Sequence, residues 1–254
     1  MALSKPTLPF EVLIWTSSHG TSLHHFPINL GRAYQECKHQ SKHLIQAPFV
    51  NAVPGRVMKP GFYEDVRTDF EKIDPGIRRM NIIMMGDNDV RCLAYSGSFR
   101  VVKQGGRIVE LHKGTPHALV LCGLLPSPST HNLTSVVFDV TSRKLNDLCD
   151  QSHSSPAGRY ISYLKLSHLF NDQDGLLNYN TYFEADGVHL NPEGAYRLAQ
   201  YLVNYAIDFA ESCKDDIDIS YLEMEEEFLN DMPRLIDNPP EVHMPSSKPS
   251  STWT

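Results

Sequence analysis

Four short stretches of this 254-residue chain carry residue types that could move an acyl group. In Thr16-Ser17-Ser18-His19, Ser18 follows an apolar run. At a strand-to-helix turn its hydroxyl would project over a sheet edge, and its N–H would lie where a helix N-terminus gathers partial positive charge. That suits a nucleophile whose reaction creates an oxyanion. On position alone an N-cap, with Ser17 or Ser18 simply starting a helix, is the commoner reading. Gly55, after Pro54, could let the backbone approach a ligand and offer its N–H, or could be an ordinary turn glycine. Asn88, in Gly86-Asp87-Asn88-Asp89, has an amide that could donate to an oxyanion or cap the next helix. Asp87 and Asp89 raise a metal site, but no longer ligand pattern accompanies them. Asp186 and His189 stand three residues apart. The carboxylate could fix the imidazole tautomer so that the other ring nitrogen faces a nucleophile. Otherwise they are an N-cap and a surface histidine among 12. His19, one residue from Ser18, is expected to be exposed and badly placed to act as the base.

The elements that must position these residues alternate in type. Apolar runs that read as strands are Glu11–Thr16, a run within His43–Val53 broken by Pro48, Met80–Gly86, His117–Pro126 and Arg159–Leu166. Helical spacing is expected over Ser22–Cys37, Phe62–Ile73, Asp89–Lys113, Ser135–Gln151 and from Pro192 to about Ser212. Gly97, Gly105 and Gly106 weaken the third of these. Asn191 and Pro192 are well suited to N-cap and first turn, and Ala195, Leu198, Ala199, Leu202 and Ala206 form a buried stripe. Alternating strands and helices imply an α/β three-layer sandwich with a five-stranded parallel sheet. Ligands of such sheets bind beyond the carboxyl ends of the strands, which is where Ser18, Gly55 and Asn88 fall.

Taken in order, Ser18, Gly55, Gly86-Asp87-Asn88-Asp89 and Asp186-x-x-His189, continuing into His189-Leu-Asn-Pro, resemble the blocks of the SGNH hydrolases, the GDSL-type esterases and lipases. The likeness spans about Glu11 to Ala206 and is nearest in character to compact intracellular members such as the platelet-activating-factor acetylhydrolases and retrotransposon-encoded esterase domains. It implies the flavodoxin-like SGNH fold and a serine esterase acting on a small acyl ester. Ser18, Asp186 and His189 would then be the catalytic set. Ser18, Gly55 and Asn88 would form the oxyanion hole, and no metal or organic cofactor would be needed. One block departs from the pattern: Thr16-Ser17 stand where the family has Gly-Asp. That departure favours a rival reading, an inactive SGNH-like module that binds protein or RNA.

The charge is distributed unevenly. Of 30 acidic residues, 12 lie from Asp208 onward, against 3 of the 23 Lys and Arg. The body is therefore close to neutral and gives no strong electrostatic case for nucleic acid. The basic run Gly31–His43 reads as a solvated helix face. Residues 1–212 are expected to form the domain, and 213–254 an acidic, then Pro- and Ser-rich, disordered tail. Within that tail Tyr221–Ile236 could instead order on a protein partner. Five scattered cysteines, no signal-peptide pattern and no run of about 20 apolar residues point to a cytoplasmic protein without a membrane span. Tyr179, Tyr182 and Phe183 are expected to wall the site.

Overall fold

The computed structural model describes residues 9–20, 25–74, 76–126 and 132–213. They belong to a compact unit, Leu8–Cys213. The acidic tail, with the partner helix expected at Tyr221–Ile236, lies outside the described residues.

Five strands, β1 (Glu11–Thr16), β2 (Phe49–Ala52), β3 (Arg79–Met84), β4 (Ala118–Cys122) and β5 (Ile161–Leu164), form one sheet in the order β2-β1-β3-β4-β5. Every pairing is parallel. The connecting helices are α1 (Phe26–Ser41), α2 (Pro60–Phe70), α3 (Asp87–His112), α4 (Asn132–His153), α5 (Tyr179–Tyr182) and α6 (Pro192–Ser212). Parallel neighbours need such crossovers because a tight turn cannot return the chain to the same edge. This is the α/β sandwich expected from the alternation of elements. Among the described residues, no helix is long and apolar enough to cross a membrane.

Period-2 alternation assigns the two faces of the sheet. Trp15, Ile83, Leu119, Leu121 and Ile161 pack with Phe62 and Val66 of α2, Val101, Ile108 and Val109 of α3, and Phe138 and Leu145 of α4. Their neighbours Val12, Ile14, Met80, Ile82, Ala118 and Val120 are equally buried and turn to the opposite side. There α1 packs on α6 through buried positions that include Leu30, Ala33, Leu198 and Leu202. Burying each large aliphatic side chain stabilises the fold by about 1.5–3 kcal/mol. One polar chain crosses the first of these cores. Trp15 Nε1 donates to Asn81 Oδ1 at 3.2 Å, Asn81 Nδ2 donates to His112 Nε2 at 3.0 Å, and His112 Nδ1 donates to the Ile108 carbonyl at 2.8 Å. Burial pushes His112 down to about 4, so the neutral ring is the form that fits.

Several boundaries differ from the sequence expectation. β2 begins only after Pro48, which has no N–H to give the ladder. The earlier half of that run survives as a single bridge between Phe10 and Ile45. α1 starts at Phe26, with Pro27 in its first turn, where a missing N–H costs nothing. Two of the three glycines thought to weaken α3 have packing roles, while Gly106 has room for a side chain. A Cβ on Gly97 would lie 2.1 Å from the Asp89 carbonyl oxygen, and one on Gly105 would lie 2.9 Å from Leu145. The approach at Gly97 accompanies a bend in α3 at Ala94, whose φ is 45°.

Candidate active site

The chain leaves β1 at Thr16, which pairs with Ala52 of β2 and Met84 of β3 at the carboxyl edge of the sheet. It turns at once through a 3-10 turn, Ser18–Gly20, closed by Gly20 N–H donating to the Ser17 carbonyl at 3.3 Å. The turn is tight enough to demand glycine, since a Cβ on Gly20 would sit 1.9 Å from the Thr16 methyl. Ser18 is thereby left half-buried at the rim.

His189 arrives from the opposite end of the chain. Its loop is pinned by a bridge between Phe183 and Leu190 and by Glu184 N–H donating to the His189 carbonyl at 2.8 Å. Asp186 organises the turn. Its Oδ1 accepts from the backbone N–H of Val188 at 2.8 Å and of His189 at 2.9 Å, while Oδ2 accepts from His189 Nδ1 at 2.6 Å. Burial works to raise the Asp186 pKa, but the imidazole and the two backbone donors outweigh it and hold the carboxyl at about 2. With its proton on Nδ1, the ring presents a bare Nε2, which lies 2.9 Å from Ser18 Oγ. The two residues are 171 positions apart in sequence. Asn191 then starts α6 as the sequence indicates: its Oδ1 accepts from Gly194 N–H at 2.9 Å and its Nδ2 donates to the Thr181 carbonyl at 2.8 Å.

The first turn of α3 fastens the loops around this point. Gly86, with φ of 114°, begins the helix where a Cβ would press to 2.9 Å on Val101. Asn88 Nδ2 donates to the Arg56 carbonyl at 3.1 Å. Asp89, fully buried, accepts from Met58 N–H at 2.7 Å and from Arg100 at 3.3 Å. Gly55, with φ of 68°, is the third residue of a turn in which Arg56 N–H donates to the Val53 carbonyl at 3.1 Å. Pro54 and Gly55 occupy the positions a type II turn asks of them. Ser18, His189 and Asp186 are thus joined by direct hydrogen bonds. Asn88 reaches the loop that carries Gly55 through Arg56. Both Asp87 and Asp89 are engaged elsewhere, and no group of three or more potential metal ligands assembles among the described residues.

Two expectations need correction. His19 is not exposed: it is 3% accessible. The 3-10 turn tucks its ring inward, and Nε2 meets Asp87 Oδ2 at 3.1 Å. Asp87 is likewise buried. Burial tends to raise its pKa, yet the hydrogen bond from His19 and the nearby Arg91 guanidinium leave it below the ordinary carboxylate range. The aromatic wall is also different. Tyr182 and Phe183 pack on Phe170 at ring distances of 5.8 and 5.4 Å, and the Tyr182 hydroxyl accepts from Arg197 at 2.8 Å. Phe183 is thus buried against Phe170, Tyr182 is half-buried beside it, and Tyr179 is left exposed.

No family model matches the chain, and no curated protein matches it. Solved structures do. An acetyl xylan esterase from Geobacillus stearothermophilus is similar at a TM-score of 0.56 and 14% identity, covering 80% of this chain and 97% of the other. The lipase/acylhydrolase from Enterococcus faecalis is similar at 0.54 and 11% identity, covering 77% and 94%. The C-terminal catalytic domain of a peptidoglycan O-acetyltransferase from Streptococcus pneumoniae is similar at 0.52 and 14%, covering 81% and 96%. At these identities the likeness shows a shared fold, in keeping with the parallel α/β architecture that the alternation of elements implies.

Proposed function

We propose that the protein is a serine esterase that hydrolyses a small acyl ester, with Ser18 as nucleophile, His189 as general base and acid, and Asp186 as the group that orients His189. The observation that carries this reading is the chain of contacts from Ser18 Oγ to His189 Nε2 at 2.9 Å and from His189 Nδ1 to Asp186 at 2.6 Å. Both are within the reach proton transfer requires. His189 Nε2 takes the hydroxyl proton as Ser18 Oγ forms a bond to the ester carbonyl carbon. Asp186, ionised at neutral pH, stabilises the imidazolium. The carbonyl oxygen becomes an oxyanion, and its donors are the backbone N–H groups of Ser18 and Gly55 and the Asn88 amide. Asn88 uses one amide hydrogen on Arg56 and has a second for this purpose. The alcohol leaves with the proton from His189. Water then attacks the acyl-serine, and His189 relays a second proton back to Ser18 Oγ.

Two of the similar structures are named for acetyl groups, which supports a small acyl group. The competing view, an inactive module that binds RNA or protein, draws on Thr16-Ser17 in place of Gly-Asp. The basic helix face does little for it, because Arg32 is engaged with Glu36 at 3.1 Å and stacked over Tyr196 at 4.4 Å. A fluorophosphonate probe and a nitrophenyl acetate assay separate the two. Wild type is expected to label at Ser18 and turn over, and Ser18→Ala to do neither while melting at the same temperature. Equal turnover by both proteins refutes the assignment, and no label on wild type favours the binding module.

A further inference from the structure

His19 has no role in the proton path above, yet it touches both halves of it. It follows Ser18 in the chain. Its ring lies 5.5 Å from the His189 ring, centre to centre, with the planes inclined at 50°. Its Nε2 is 3.1 Å from Asp87 Oδ2 in the first turn of α3. Both partners are almost fully buried, with side chains 2% and 7% accessible. His19 Nδ1 is buried as well and has no hydrogen-bond partner among the described residues. A proton on Nδ1 would be a donor with no acceptor, a costly arrangement in the interior. A proton on Nε2 alone donates to Asp87 and leaves only a lone pair at Nδ1. The partners therefore assign the Nε2–H tautomer, in which His19 serves as a tether rather than as a base.

Resting on the esterase reading, we propose that His19 is a positioning residue: tethered to Asp87, it fixes the Ser18 turn against α3 and backs the ring of His189, setting the distance between nucleophile and base. Ser18 sits in a three-residue turn closed by one backbone hydrogen bond. Nearby Thr16 Oγ1 and Ser17 Oγ are buried and have no hydrogen-bond partner among the described residues, so these two side chains add no fastening there. The His19–Asp87 hydrogen bond joins positions 68 apart and ties the turn to the element that also carries Asn88. A misplacement of about 1 Å at such a site costs roughly 10²-fold in rate.

The test compares His19→Gln with a double variant in which His19 and Asp87 are both leucine. The double variant leaves no orphaned buried carboxylate, and its fold is checked by circular dichroism. Turnover of nitrophenyl acetate and the rate of fluorophosphonate labelling are measured with the ring-nitrogen NMR shifts of His189. The double variant is expected to lose about 10- to 100-fold in kcat with KM within about twofold, and to label correspondingly more slowly. Glutamine can donate to Asp87 and is expected to recover kcat to within about threefold of wild type. Wild-type kcat in the folded double variant overturns the proposal. So does a glutamine variant as slow as the double one, since the tether would then be irrelevant. If wild-type protein neither labels nor turns over, the esterase reading falls instead. The positioning claim is then judged on the His189 nitrogen shifts, which must differ between wild type and the double variant or it falls too.

Discussion

Acid should unfasten the core at His112, and the size of the effect follows from its surroundings. The ring is 1% accessible. It accepts from Asn81 at Nε2 and donates to Ile108 at Nδ1, so protonation puts a second donor against one already pointing at it. Burial lowers the pKa from 6.5 to about 4. In the unfolded chain the ring titrates near 6.5. The folded value is depressed, so the unfolded state binds more protons between these limits. The stabilisation is complete above pH 6.5 and is lost as pH falls through 4. At about 1.4 kcal/mol per unit, the loss on going from neutral pH to pH 4 is about 3 kcal/mol. The comparison is between wild type and His112→Gln, by urea unfolding at pH 7.5, 6, 5 and 4. Other groups, including His117, which burial and neighbouring arginines also lower to about 4, titrate in both proteins and cancel. At a slope of roughly 2 kcal/mol per molar urea, the midpoint of wild type should fall by about 1.5 M more than that of the variant. Parallel pH profiles would refute the reasoning, because His112 would then titrate alike in both states.

Two further outcomes follow from the site. Asn88→Ala should lower kcat by about 10²–10³ if its amide meets the oxyanion, and should also lower stability by about 1 kcal/mol through loss of the bond to Arg56. Steady-state kinetics and thermal melts read the two effects separately. Gly194→Ala should destabilise the fold by about 1–3 kcal/mol, because the new Cβ falls 2.1 Å from the Tyr182 carbonyl oxygen. The same displacement shifts the Asn191 cap and the His189 loop, so kcat should fall with stability in the same variant.

The strands were legible because each is a short apolar run with a breaker at one end, and their alternation gave the parallel sheet. That Ser18, Asp186 and His189 would meet was legible for a different reason. An Asp-x-x-His turn is local, and a serine after the first strand is placed by topology, so no side-chain packing had to be foreseen. The pair of His19 and Asp87 was not legible. Nothing local marks a histidine that turns inward to meet a carboxylate 68 residues away, and Asp87 reads in the sequence only as half of a weak metal pair with Asp89. Gly97 and Gly105 were ambiguous for a related reason. Glycine lowers helix propensity whether or not something presses against it, and only the neighbour 2–3 Å from a hypothetical Cβ distinguishes the cases. Tyr182 and Phe183 have the chemistry of a binding wall, and only the position of Phe170 decides that their rings pack against it.

Three consecutive side chains of α3 grip two segments: Asp87 the Ser18–Gly20 turn through His19, and Asn88 and Asp89 the loop after β2, at the carbonyl of Arg56 and the amide of Met58. The rim of the site is in this sense geared to one helical turn. That turn lies ahead of the bend at Ala94, so a small change of angle at the bend would carry the rim residues along together while the His189 loop, which leads into α6, stayed behind. Substitutions around Ala94 thus offer a way to shift the rim without altering a residue proposed to touch substrate.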